Sequence, residues 1–172
     1  FIGKEWERKG GARAVEVASR LNQLGLPTEL HLVGCQPPGE LPGYVRQHGF
    51  ISKTSAAGQR LLDELFSQAH FFILPALADC TPVVFPEAAS FGLPVLASNV
   101  GGIPSVVREG RNGCTFPLTG GAEAYCAAIQ RLWASRAEYE QLALSSFQEY
   151  ADRLNWVSAG RQVHDLIQQH CG

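Results

Sequence analysis

Residues 71–97 read FFILPALADCTPVVFPEAASFGLPVLA, and the order of apolar runs and stops within them decides the fold class. Phe71-Phe72-Ile73-Leu74 is apolar without alternation, as a strand covered by helices on both faces must be. Leu77 to Cys80 reads as its exit loop. A helix follows to about Phe91, where Gly92 and Pro94 stop it, and Val95-Leu96-Ala97 is again a continuous apolar run. Strand, helix and strand in that order describe a parallel crossover unit, because two strands joined through a helix return pointing the same way.

The same alternation extends outward in both directions. Upstream, Phe1-Ile2 ends a first strand, and Ala14, Val17, Ala18, Leu21 and Leu24 make one face of a helix that Gly25 closes and Pro27 prevents from continuing. Leu30-His31-Leu32-Val33 is a second strand. Cys35 to Gly43 is a Pro- and Gly-rich loop, a third short strand falls within Tyr44 to Ile51, and a helix then turns Leu61, Leu62, Leu65, Phe66 and Ala69 inward. Downstream, Ile103 to Val107 is a short helix, and Cys114-Thr115-Phe116 after the Asn112-Gly113 turn is a sixth strand. Beyond Thr119 the chain reads as helical, with Tyr125, Ala128, Ile129, Leu132 and Trp133 in one stripe and Val163, Leu166 and Ile167 in another. The expectation is a single α/β domain over residues 1–172: a parallel sheet of about six strands, helices on both faces and a C-terminal helical segment.

Composition narrows the functional classes. The 172 residues are 45% hydrophobic and 17% charged, enough for one core and too apolar for intrinsic disorder. Fourteen Lys and Arg against sixteen Asp and Glu give a net charge of -2, so no basic excess points to nucleic acid or an anionic bilayer. Apolar runs are far shorter than the roughly twenty residues of a membrane span, and no signal peptide is visible. Five cysteines, at 35, 80, 114, 126 and 171, form no CxxC pair and suggest neither disulfides nor zinc, which fits a reducing, cytoplasmic setting. The absence of methionine and the opening on a strand end suggest a piece of a longer protein.

In a parallel sheet, ligands sit where strand carboxyl ends meet helix N-termini. Gly3-Lys4-Glu5-Trp6-Glu7-Arg8-Lys9-Gly10-Gly11 is such a loop. Its two lysines, its glycine pair and the helix that follows suit a diphosphate, although an exposed charged loop explains the composition equally well. The second loop, Asp79-Cys80-Thr81-Pro82-Val83-Val84-Phe85-Pro86-Glu87, spaces two carboxylates eight positions apart. Asp79 would project from the strand tip, Thr81 could cap the helix ahead of Pro82, and Glu87 would fall in its first turns. Such carboxylates accept paired hydrogen bonds from vicinal hydroxyls, or merely balance a helix dipole. Asn99-Val100-Gly101-Gly102-Ile103-Pro104-Ser105 is a third, where the glycine pair permits close backbone approach. The five histidines have no metal-ligand spacing; His31 and His70 flank strands. Trp6, Trp133 and Trp156 read as packing residues. No D-x-D, G-x-S-x-G or H-E-x-x-H occurs, which leaves a carboxylate-held metal and the common hydrolase signatures unsupported.

Taken in register, these pieces resemble the C-terminal, donor-binding Rossmann-like domain of a GT-B retaining glycosyltransferase, group 1 (family 4). The similarity spans nearly the whole chain. It rests on Gly3-Lys4 followed by Lys9-Gly10, on the family's E-x7-E motif as Asp79-x7-Glu87, on Ala88 through Val95, and on Gly101-Gly102-Ile103-Pro104. The chain departs from the family where Asp79 replaces the usual first Glu, Lys4 the usual Arg, and Ser105 a frequent Glu.

The resemblance implies a nucleotide-diphosphate sugar as donor substrate, transfer to an acceptor hydroxyl with retention, and neither metal nor cofactor. It makes Lys4, Lys9 and Asp79 the catalytic residues, with Lys4 and Lys9 on the diphosphate and Asp79 on the donor hexose. Donor binding falls to Gly3, Gly10, Gly11, Cys80, Thr81, Pro82, Val83 and Glu87, with Glu87 on the ribose hydroxyls. It assigns the acceptor to an absent N-terminal domain, along with any membrane contact, leaves the isolated domain inactive, and gives no role to nucleic acid. Two readings stay open beside it: another GT-B enzyme, such as a nucleotide-sugar epimerase or a phosphorylase, and a non-catalytic nucleotide- or sugar-binding module.

Overall fold

The computed structural model describes residues 1–171; the side chain of Cys171 and all of Gly172 lie outside the described residues. In chain order the elements are α1 (Gly11–Gln23), β1 (Leu30–Val33), β2 (Val45–Gly49), α2 (Ala56–Gln68), β3 (Phe72–Leu74), α3 (Val84–Ser90), β4 (Val95–Ser98), α4 (Ile103–Val106), β5 (Gly113–Phe116), a 3-10 turn at Leu118–Gly120, α5 (Gly121–Ala134), α6 (Arg136–Asp152) and α7 (Trp156–Cys171). All strand pairs are parallel. β1 pairs with β2, and β3-β4-β5 form a second sheet with β4 in the middle. Every side chain of β3 and β4 is buried, which is why residues 71–97 showed no alternation.

Among the described residues the two sheets hold five strands, not about six. Phe1-Ile2 contributes only an isolated parallel bridge, Ile2 to Val33, so no continuous ladder connects β1 to β3. Helices cover both faces: α1 packs along α5, while α2 and α3 meet through the stacked rings of Phe66 and Phe91, 5.4 Å apart. The α1–α5 seam is closed by Cys126, whose thiol donates to the Val17 carbonyl, and by Arg20 bridging to Glu123.

Several side chains expected inside are not. Leu61 on α2 is exposed because only the i, i+4, i+8 stripe of Gly58, Leu62 and Phe66 is buried, and Ala69 is exposed because α2 ends at Gln68 and leaves it in extended backbone. Leu24 falls just past the last turn of α1 and is exposed. Trp133 is half exposed, with its ring against the edge of His70. Trp156 does not pack at all, at 84% exposure.

Candidate functional site

Because every strand runs the same way, the loops after the first strand, β2, β3 and β4 gather at one end of the molecule. The first loop winds into two tight turns, with the Lys9, Gly10 and Gly11 amides donating to the carbonyls of Glu5, Glu7 and Trp6. Those three amides are therefore spent inside the loop. The Ala12 and Arg13 amides are the donors that the start of α1 leaves open among the described residues.

Gly10 lets this loop press on the chain that leaves β3. It sits at φ 74°, and a Cβ there would lie 1.9 Å from the Pro75 carbonyl oxygen. Arg8 fastens the same contact, its guanidinium donating to the Ala78 carbonyl at 3.0 Å and its own carbonyl accepting from the Leu77 amide at 2.8 Å. Lys9 then reaches Asp79 directly. The pair is largely buried, with 16% of the Lys9 side chain and 9% of the Asp79 side chain exposed, and the Lys9 stem runs over Gly3. Gly11 lies under the Trp6 ring.

The loop after β4 supports Asp79 from below. The Gly102 amide donates to the Asp79 carbonyl at 3.1 Å, and a Cβ at Gly102 would lie 1.6 Å from the Cys80 carbonyl oxygen. Cys80, Thr81 and Val83 are exposed at the mouth, and Pro82 is buried. Thr81 makes no cap, since α3 begins only after Val83 and has no side-chain hydrogen bond at its start. The two loops are only partly open to solvent: Lys4, Glu5 and Glu7 are exposed, but Gly10, Gly11 and Pro82 are buried and Lys9 and Asp79 shield one another.

Glu87 lies in the first turn of α3, where the dipole favours a carboxylate. One oxygen accepts from Lys53. The other is buried and has no protein partner among the described residues. Lys4 does not join Lys9; its ammonium lies over the exposed Phe50 ring, 5.5 Å from the centroid. Phe50 and Lys53 follow β2 and were missed in the sequence, as was Arg8. The rule that led to the other loops, a search of strand carboxyl ends, would have found the first two.

A cavity of about 280 Å³ opens beside the site, lined in part by Gly10, Pro75, Leu77, Ser98 and Tyr125. A larger one of about 430 Å³ shares none of the Lys4, Lys9, Asp79 or Glu87 side chains, so the site is assigned by its chemistry and not by volume. Among the described residues, no group of three or more His, Cys, Asp or Glu side chains is placed to hold a metal, and no helix is long and apolar enough to cross a membrane.

A family model described as glycosyl transferases group 1 matches residues 1–135. The amylovoran biosynthesis glycosyltransferase AmsK of Erwinia amylovora is 28% identical over 184 residues, which take in 98% of this chain and 44% of that protein. Among solved structures, Anabaena HepE in complex with UDP-glucose superposes with a TM-score of 0.78 at 18% identity, covering 98% of this chain and 47% of HepE. The C-terminal domain of the group 1 family protein LpcC from Francisella tularensis superposes with a TM-score of 0.73 at 12% identity, covering 90% of this chain and 85% of that one. The chain spans less than half the length of curated relatives such as AmsK.

Proposed function

Since the chain belongs to the group 1 glycosyl transferases, we propose that it is the C-terminal, donor-binding half of a family 4 enzyme that transfers a hexose from a nucleotide-diphosphate sugar with retention and without a metal. The observation that carries this reading is the buried Lys9–Asp79 pair, which joins two strand-end loops seventy residues apart next to glycines that admit close backbone approach. LpcC's matching domain is described as C-terminal, and HepE was solved with UDP-glucose, which supports both the placement and the donor class.

In this reading the ammonium of Lys9 has three donors, enough to keep Asp79 oriented and still meet a phosphate oxygen. Negative charge grows on the leaving diphosphate as the glycosidic bond breaks, and Lys9, Lys4 and the open amides of α1 stabilise it where a metal otherwise would. Asp79, with one oxygen on Lys9, offers the other to a sugar hydroxyl. The unpartnered oxygen of Glu87 accepts from a ribose hydroxyl. The acceptor site belongs to an N-terminal domain of the longer protein, so these 172 residues bind donor and transfer nothing. The free thiols at Cys35, Cys80, Cys114 and Cys126 support a reducing, cytoplasmic setting.

Titration calorimetry with UDP, GDP and ADP, run in EDTA, tests the reading. At least one should bind with a Kd on the order of 1 mM or tighter. Heat that appears only after magnesium or manganese is added refutes the metal-free mechanism, and no heat with any nucleotide refutes the donor site.

A further inference from the structure

His31 of β1 and His48 of β2 take no part in the site, yet the fold joins their rings. The rings are parallel within 10°, with centroids 5.1 Å apart and with Nδ1 of His31 2.9 Å from Nε2 of His48. The centroids are farther apart than the nitrogens by about two ring radii, so the nitrogens point at one another head-on. That is a near-linear hydrogen bond, with one proton in it. The backbone aims the second ring: the β1–β2 ladder pairs Leu32 with Gln47 and Val33 with Gly49, which leaves His48 as the extra residue of a bulge. Glu29 places the protons. One of its oxygens meets Nε2 of His31 at 2.8 Å and the other accepts from Arg46 at 2.8 Å, so neutral His31 carries its hydrogen on Nε2 and accepts at Nδ1 from the Nε2–H of His48. A proton added at Nδ1 of His48 keeps every bond in this chain. A second can go only to Nδ1 of His31, where it confronts another N–H and breaks the link.

We propose that His31 and His48 form a proton-operated latch across β1 and β2, which holds the end of β2 while one proton bridges the rings and, once both rings are charged, releases the loop that carries Phe50 to Lys4 and Lys53 to Glu87. Immediately beyond the bulge the Gly34 amide donates to the Gly49 carbonyl at 2.7 Å, and the chain then enters that loop at Phe50, 71% exposed. The charged and titratable groups around the pair come from three segments. Glu29 and Arg46 flank it on β1 and β2, and the Phe1 amine donates to the His31 carbonyl at 3.1 Å but is brought down by burial to about 5. His70 borders the same cavity as His31, with its own ring against Trp133. Burial pulls His48 below the ordinary histidine value, the charges of His31 and the Phe1 amine add to this, and Glu29 opposes it. A histidine lowered in the folded state stabilises fully above its unfolded value, about 6.5, and that contribution is lost as pH falls from there toward the folded value, so the latch opens in mild acid.

Imidazole nitrogen NMR and hydrogen exchange at the Gly34 amide test this without any ligand. From about pH 7.5 to about pH 4.5 the pair should take up protons in two steps at least roughly one pH unit apart, the first at Nδ1 of His48. Gly34 protection, taken relative to the unstructured rate, should fall roughly tenfold with the second step. His48→Gln keeps an N–H donor toward His31 and cannot be charged, so its protection should stay level over that range, while His48→Phe removes the donor and should be weakly protected throughout. Titration of the Phe1 amine is common to parent and variants and cancels in the comparison. Rings that titrate independently overturn the latch, as does protection that falls equally in the parent and His48→Gln, or that stays full in His48→Phe. Should a variant fail to fold, the parent's own titration decides: two coupled steps support the latch, and independent rings overturn it.

Discussion

Lys9 and Gly102 do different work on the same carboxylate loop. Lys9 supplies charge to the site, and Gly102 supplies room, its amide on the Asp79 carbonyl and its missing side chain against Cys80. On the proposed reading, Lys9→Ala in the full-length protein is expected to lower kcat by about 10²-fold with little change in KM, since the charge on the donor diphosphate grows in the transition state; steady-state kinetics showing unchanged turnover would remove Lys9 from the chemistry. Gly102→Ala has no route to relief except moving the Asp79–Cys80 backbone. It should cost about 1–3 kcal/mol in denaturant unfolding and abolish nucleotide binding by the folded remainder. The residue types at both places were legible in the sequence. That Lys4 lies over Phe50, and that Glu87 meets Lys53, was not, because those contacts join loops far apart in the chain.

At the scale of elements, the end of α6 is fastened to α4 and the loop after it through one buried carboxylate. Glu149, 6% exposed, receives Arg153 at 2.9 Å and Arg108 at 3.3 Å, and Arg153 also donates to the carbonyls of Ser105 and Val106 at the end of α4. Burial pushes the Glu149 carboxyl up, but the hydrogen bond and charge of Arg153 and the charge of Arg108 outweigh it and hold the group below its usual range. A carboxylate lowered in the folded state stabilises fully above its unfolded value, about 4.3, and that contribution is lost as pH falls through the folded value. Glu149→Gln should cost about 1–3 kcal/mol near neutral pH, and its unfolding curves should converge on the parent's in acid. A gap that persists undiminished in acid would mean that packing, and not charge, holds α6. The sequence beyond Thr119 read as helical without setting α6 apart, and it said nothing of this clamp, whose members come from two segments, 105–108 and 149–153.

For the molecule as a whole, α7 is the part that its own fold leaves uncovered. Trp156, Val157, Val163, Leu166 and Ile167 are all exposed, so the stripe of Val163, Leu166 and Ile167 read from the sequence is bare. A helix without a packed face contributes little to stability. Ending the chain at Asn155 should therefore shift unfolding by no more than about 0.5 kcal/mol while removing the tryptophan most accessible to acrylamide quenching. Loss of the folded state on truncation would show that α7 packs where its side chains are now bare.

The sequence by itself determined the parallel α/β class, the position of nearly every helix and strand, and the loops that make the site. Those follow from local pattern: continuous apolar runs, three-to-four periodicity, and glycine and proline stops. Tertiary structure alone decided that Lys9 pairs with Asp79, that Lys4 lies over Phe50 and that Glu87 meets Lys53. Each depends on how far apart two segments lie after packing, and no window of sequence contains both.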